Sequence, residues 1–296
     1  MEQSVGENDE IWTLSMNTKS PKVPIVMVHG FGAGIGFWIM NFDAISEDRP
    51  LYAIDLLGFG RSSRPNFSSD PLIIEQQFVD SIENWRKKMD IPKMILLGHS
   101  FGGYLASSYS LKHPDKIEHV ILADPWGFAE APTNLTFWKR TLVKAIGPLK
   151  PLWILRASGP FGQWVIQKGR KDILKKYDNV VEDNSVIAQY IHQCNSRYPS
   201  GEAGFHKLLK VIGWAKFPIG ERMLQIQKNI PITFLYGAKS WMNNCYGPII
   251  KESRPDSYTH IENIEHAGHH VYSDNSIDFN QFVLDACQVL KSDVKE

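Results

Sequence analysis

The 296-residue sequence is poor in cysteine, has no charge excess of either sign and lacks long apolar runs. Each shortage excludes something. Three widely spaced cysteines, Cys194, Cys245 and Cys287, supply no disulfide framework and fit a reducing, cytoplasmic setting. Lys and Arg together number 32, as do Asp and Glu, so the net charge is zero and nothing global recruits nucleic acid. No run reaches the roughly 18 apolar residues of a membrane span. The N-terminal MEQSVGENDE is polar and acidic, unlike a signal or transit peptide. Hydrophobic residues make up 43% of the chain, enough for one sizeable core.

Short apolar runs at residues 23–28, 51–54, 94–97, 120–123, 232–236 and 258–264 alternate with helix-like segments. This alternation predicts an α/β fold: a mostly parallel central sheet with helices on both faces. Residues 74–89 place Phe78, Ile82, Trp85 and Met89 at helical spacing. Residues 276–291 place Ile277, Phe279, Phe282 and Val283 similarly, as a closing helix. Between Pro125 and Ile230 the strand signal stops, and a structureless loop of that length is improbable. The expected organisation is an α/β core over 11–126 and 229–292, with a helical cap inserted over 127–228. Breakers at Gly147-Pro148, Pro151 and Gly159-Pro160 divide that cap into short helices.

The chemistry centres on Gly98-His99-Ser100-Phe101-Gly102, which follows a strand-like run and opens a helix-like one. Strand, G-x-S-x-G and helix in that order make a nucleophile elbow, with Ser100 raised on a strained turn. Side chains at 98 or 102 would meet the neighbouring strand or helix. The Phe101 amide, at the helix start, is one expected oxyanion donor. The second is Phe31, in His29-Gly30-Phe31-Gly32 directly after the strand at 23–28. A dinucleotide loop is the competing reading of these glycines, but the third glycine of G-x-G-x-x-G would fall on Ile35 or Phe37.

The base follows the nucleophile in this fold, and His269 in Ala267-Gly268-His269-His270 is the candidate; His270 reads as structural. The histidines at 260, 266, 269 and 270 lack zinc-ligand spacing, so neither metal nor cofactor is expected. The acid is harder to place. Residues 237–245, after the strand at 232–236, contain no carboxylate. Asp124, at the end of the strand at 120–123, is either the acid or a structural carboxylate at the turn into Pro125.

Further segments carry a narrower resemblance. They include Asp55-Leu56-Leu57-Gly58-Phe59-Gly60-Arg61-Ser62, Asp124-Pro125-Trp126-Gly127-Phe128, Ser158-Gly159-Pro160-Phe161-Gly162 and Gly213-Trp214-Ala215-Lys216. From about residue 11 to 285 the chain resembles the α/β-hydrolase-domain-containing proteins 4 and 5. That resemblance implies a serine hydrolase of phospholipid or lysophospholipid acyl esters, of the lysophospholipase or N-acyl-phosphatidylethanolamine lipase kind. The protein 5 branch has Asn at the nucleophile position and implies a lipid-droplet coactivator of triacylglycerol lipase. Lysophosphatidic acid acyltransferase activity is ascribed to it through an H-x(4)-D motif, which His269 and Asp274 match; Asp274 is otherwise read as a cap for the closing helix. Where the family carries Ile-Asp in the acid loop, this chain has Met242-Asn243. Its N-terminal segment is shorter and has only Trp12, so the first sheet strand is expected to be missing or truncated. The mixed apolar and basic cap segments Trp138-Lys139-Arg140 and Trp153-Ile154-Leu155-Arg156 fit either a phospholipid interface or a cap packed on the core.

Overall fold

The computed structural model describes residues 9–132, 152–211, 213–242 and 244–289. Seven strands form one sheet: β1 (Thr13–Met16), β2 (Ile25–Val28), β3 (Leu51–Ile54), β4 (Met94–His99), β5 (Ile117–Ala123), β8 (Ile232–Gly237) and β9 (Thr259–Ile264). A separate two-stranded ribbon, β6 (Leu209–Val211) and β7 (Trp214–Ala215), falls where the sequence gave no strand signal. The sheet order is β1-β3-β2-β4-β5-β8-β9, and only β1 runs antiparallel to its neighbour. β1 is the N-terminal edge strand, pairing Thr13 with Ile54 and Met16 with Leu51.

The central strands are apolar on both faces because both faces are covered. Val26 and Val28 point into one cluster, with Phe78, Ile82, Tyr104 and Tyr109. Ile25 and Met27 point into the other, with Ile45, Phe279 and Val283. The helices behind these contacts are α1 (Pro71–Lys88) and α2 (Phe101–Lys112) on the first face. α1 starts where its residues dictate: Asp70 accepts the Leu72 N–H at 2.8 Å, Pro71 takes the first helical position, and Arg86, Lys87 and Lys88 occupy the last turn. Its apolar stripe ends at Trp85, and Met89 faces solvent.

After β5 the described part of the insertion is helical as far as the β6–β7 ribbon: α3 (Trp153–Ala157), α4 (Gly162–Gly169), α5 (Ser185–Ser196) and α6 (Ser200–Leu208). Gly159-Pro160 separates α3 from α4. The breakers at 147–148 and 151, and the segment Trp138-Lys139-Arg140, lie outside the described residues. Polar bonds fasten this insertion to the loops at the carboxyl ends of β2 and β3. Asn195 donates to the Gly32 carbonyl at 2.8 Å, Tyr190 Oη accepts from the Gly36 N–H at 2.7 Å, and Arg64 donates to the Cys194 and Tyr198 carbonyls. α7 (Tyr246–Ser253) links β8 to β9, and α8 (Ser276–Gln288) closes the described chain on the second face. In α8, Phe279 and Val283 are buried, but Ile277 is outward and exposed.

Candidate active site

Every candidate catalytic residue sits at the carboxyl end of a strand, the edge where open α/β sheets place their ligands. Ser100 joins β4 to α2 at φ 52° and ψ −117°, a left-handed backbone seldom used by a residue with a side chain. The turn is possible because its flanking positions are bare. A Cβ on Gly98 would stand 2.3 Å from the Gly102 carbonyl oxygen, and one on Gly102 would stand 2.3 Å from that of Val28. The Ser100 N–H donates to the Ala123 carbonyl at 3.0 Å, tying the elbow to β5.

Ser100 Oγ lies 3.0 Å from His269 Nε2. His269 Nδ1 lies 2.6 Å from Asp124 Oδ2. A carboxylate only accepts, so Nδ1 carries the proton and Nε2 is left to accept from the serine hydroxyl. Asp124 is fully buried and has its own left-handed backbone, with φ 42°. Its carboxylate also accepts from the Ser240 hydroxyl and, at 3.3 Å, from the Gly237 N–H. Of the two sequence readings for Asp124, its geometry is that of the imidazole's partner. Asn243 lies outside the described residues.

The loop at 29–32 runs beside the nucleophile: a Cβ on Gly30 would stand 3.0 Å from Ser100 Cβ and 2.8 Å from His99 Nδ1. Buried His29 lies with Nδ1 2.7 Å from the Gly30 carbonyl, and its Nε2 accepts from the Leu56 N–H at 3.0 Å. With that carbonyl engaged, the trans peptide directs the Phe31 N–H the opposite way. The Phe31 ring stacks on Phe205 of α6, with centroids 4.3 Å apart. Phe101 opens α2, so its amide belongs to the first turn, where N–H groups have no partner within the helix.

Sequence reasoning missed some neighbours of the base, His99 and Trp241 among them. His99 Nε2 lies 2.8 Å from the His269 carbonyl, and burial, reinforced by the charge of His269, holds its pKa well below that of free histidine. Burial likewise pushes His270 down to about 3, and it stacks on Phe37. Both are neutral at neutral pH. Exposed Trp241 sets its ring 5.4 Å from that of His269. Asp274 touches neither nitrogen of His269; its Oδ2 accepts from the Gly268 N–H at 2.9 Å, and its Oδ1 pairs with Lys176. Nor does it cap α8, a role taken by Asn275, whose side chain accepts from the Asp278 N–H. The glycine before His269 and the hydroxyl of Ser240 were visible in the sequence, but nothing local assigned them partners.

The comparisons with known proteins agree with this fold. The family described as alpha/beta hydrolase fold matches residues 23–276. The chain belongs to the α/β-hydrolase fold family. Among curated α/β-hydrolase relatives, a (lyso)-N-acylphosphatidylethanolamine lipase from Homo sapiens is 45% identical over 291 residues, covering 96% of this chain and 85% of that protein. The 1-acylglycerol-3-phosphate O-acyltransferase ABHD5 from Rattus norvegicus is 44% identical, covering 97% and 83%. Among solved structures, a bromoperoxidase from Bacillus anthracis superposes with a TM-score of 0.70 at 18% identity, covering 95% of this chain and 96% of that one. That likeness is one of fold.

Proposed function

We propose that this α/β-hydrolase is a serine hydrolase of phospholipid or lysophospholipid acyl esters, with Ser100, His269 and Asp124 as its triad. The observation that carries the reading is the continuous chain from Ser100 Oγ through His269 to buried Asp124, beside the Gly30–Phe31 loop. Ser100 Oγ attacks the ester carbonyl carbon while its proton passes to His269 Nε2. Asp124 stabilises the imidazolium and fixes its orientation. The Phe31 and Phe101 N–H groups hold the oxyanion, with the first turn of α2 adding its dipole. Collapse expels the alcohol, which takes the proton from His269. Water, activated by the same imidazole, then releases the fatty acid from the serine.

The lipid assignment follows the (lyso)-N-acylphosphatidylethanolamine lipases that the chain resembles. In this reading residues 127–228 form the cap, and its exposed Trp153, Ile154, Phe161 and Trp164 meet a phospholipid surface from the cytoplasm, at a membrane or lipid droplet. A second outcome at the same serine is acyl transfer, favoured by the acyltransferase relatives: a lysophosphatidic acid hydroxyl replaces water. Ser100, where the coactivator branch has Asn, favours hydrolysis over a purely non-catalytic partnership with a triacylglycerol lipase.

The test is labelling with a fluorophosphonate followed by a lipid panel. Wild type is expected to label and to release fatty acid from lysophospholipids, and Ser100→Ala to do neither. Equal labelling of the two proteins refutes the reading.

A further inference from the structure

Asp274 and Lys176 lie beside the candidate triad, and the proposed mechanism uses neither. Asp274 is five residues beyond His269 and completes H-x(4)-D, yet its geometry is not that of an imidazole partner. His269 has both nitrogens engaged, Nδ1 by Asp124 and Nε2 by Ser100. Asp274 has both oxygens engaged, Oδ2 by the Gly268 N–H and Oδ1 by the Lys176 ammonium. Neither oxygen bonds a nitrogen of His269, so Asp274 is not the partner of the base.

Each end of the contact is anchored. Asp274 ends the helical turn Val271–Asp274, and its own N–H donates to the His270 carbonyl at 2.9 Å. Lys176 belongs to the turn Lys175–Tyr177 of the insertion. The next residue, Tyr177, is buried and donates its hydroxyl to the Phe37 carbonyl at 3.0 Å. Asp274 and Lys176 are themselves mostly shielded, at 14% and 17% side-chain exposure, where an ion pair is less screened than on an open surface.

We infer that Asp274 is a positioning residue for His269: it grips the residue before the base through the Gly268 N–H, and Lys176 holds it there from the insertion. His99 holds the same loop on the other side, through the His269 carbonyl. The base is thus fixed on both sides, at the Gly268 N–H and at its own carbonyl, and one fixing point depends on the seating of the insertion. This inference rests on the serine-hydrolase reading. In it the H-x(4)-D pair is no separate acyl-transfer dyad; transfer and hydrolysis draw on one base.

The experiment compares Asp274→Ala, Asp274→Asn, Lys176→Met and Lys176→Arg in the full chain, with thermal melts to show that each is folded at the assay temperature. The readouts are the fluorophosphonate labelling rate, kcat and KM for a lysophospholipid, and acyl transfer to lysophosphatidic acid from an acyl thioester. Misplacing a base by about 1 Å costs on the order of 100-fold. Asp274→Ala is therefore expected to lose about 10- to 100-fold in labelling rate and kcat, with KM little changed. Asp274→Asn, which keeps an acceptor for Gly268, recovers most of that loss. Lys176→Met shows a smaller loss, which Lys176→Arg restores. Any acyl transfer falls in the same ratio as hydrolysis. A wild type that does not label overturns the underlying hydrolase reading. A wild type that labels, with Asp274→Ala or Lys176→Met equally fast, overturns this inference alone. So does Asp274→Asn that loses acyl transfer while keeping hydrolysis.

Discussion

His269 Nδ1 stands 2.6 Å from Asp124 Oδ2, joining the loop after the last strand to the end of a strand 145 residues earlier. Asp124 directly follows β5, two strands from β9 in the sheet order. Because β5 lies between β4 and β8, Asp124 stands beside both the elbow and the loop that follows β8. Its buried carboxylate is met by the Gly237 N–H and the Ser240 hydroxyl, so the group that orients the base is itself oriented.

The first prediction concerns this acid. Asp124→Asn is expected to lower kcat by about 10³- to 10⁴-fold, the scale of the same exchange in a serine protease. Asn243→Asp is expected to change kcat by less than about threefold, because the position facing Nδ1 is already filled by Asp124. Steady-state rates for the two single variants check both halves. A large gain from Asn243→Asp with no loss from Asp124→Asn contradicts the assignment.

The second concerns the elbow. A methyl group on residue 102 would meet the carbonyl oxygens of Val28 and His29, at 2.3 and 2.6 Å, and backbone of a central strand has little room to yield. Gly102→Ala is expected to destabilise the fold by at least about 2 kcal/mol, the range for overpacked interiors. Ser100→Ala, which removes one hydroxyl at the site edge, is expected to cost far less. Denaturant midpoints of the two variants, measured side by side, test the contrast.

The third concerns acid. Glu83 accepts from Arg86 Nε and Nη2 at 2.8 Å and from the Tyr109 hydroxyl at 2.6 Å. Burial opposes its ionisation, but the bonds from Arg86 and Tyr109 and the arginine charge outweigh it and hold the pKa at about 2. A carboxylate depressed in the folded state binds its proton more readily when unfolded. Its stabilisation is complete above the unfolded value near 4.5 and is lost as pH falls from there towards 2. Melting temperature is expected to drop over that window in wild type and to drop less steeply in Glu83→Gln. Parallel slopes for the two proteins refute the assignment.

Ser100 and His269 were legible in the sequence because their glycine-rich settings are local: a strand, a bare turn and a helix lie within about ten residues. The sheet was legible because its central strands are continuous apolar runs. Asp124 was legible only as a choice between roles, since its function depends on a histidine 145 residues away. His99, Ser240 and Lys176 gave no signal, each acting through one contact that folding alone creates. The β6–β7 ribbon was missed because strands of three and two residues are too short to show a period. Met89 and Ile277 were read one residue too far along their stripes, at helix ends where the periodic face no longer meets the core.

In the proposed triad, with Asp124 as the acid, the loop after β8 need not supply the carboxylate. Beyond the Gly237 amide and the Ser240 hydroxyl, the described residues of that loop make no bond to Asp124. It sets an exposed indole, Trp241, beside the base. An exchange at Trp241 would change what approaches the histidine without touching its bonds to Ser100 and Asp124, whereas Gly237 and Ser240 tie the start of the same loop to the carboxylate.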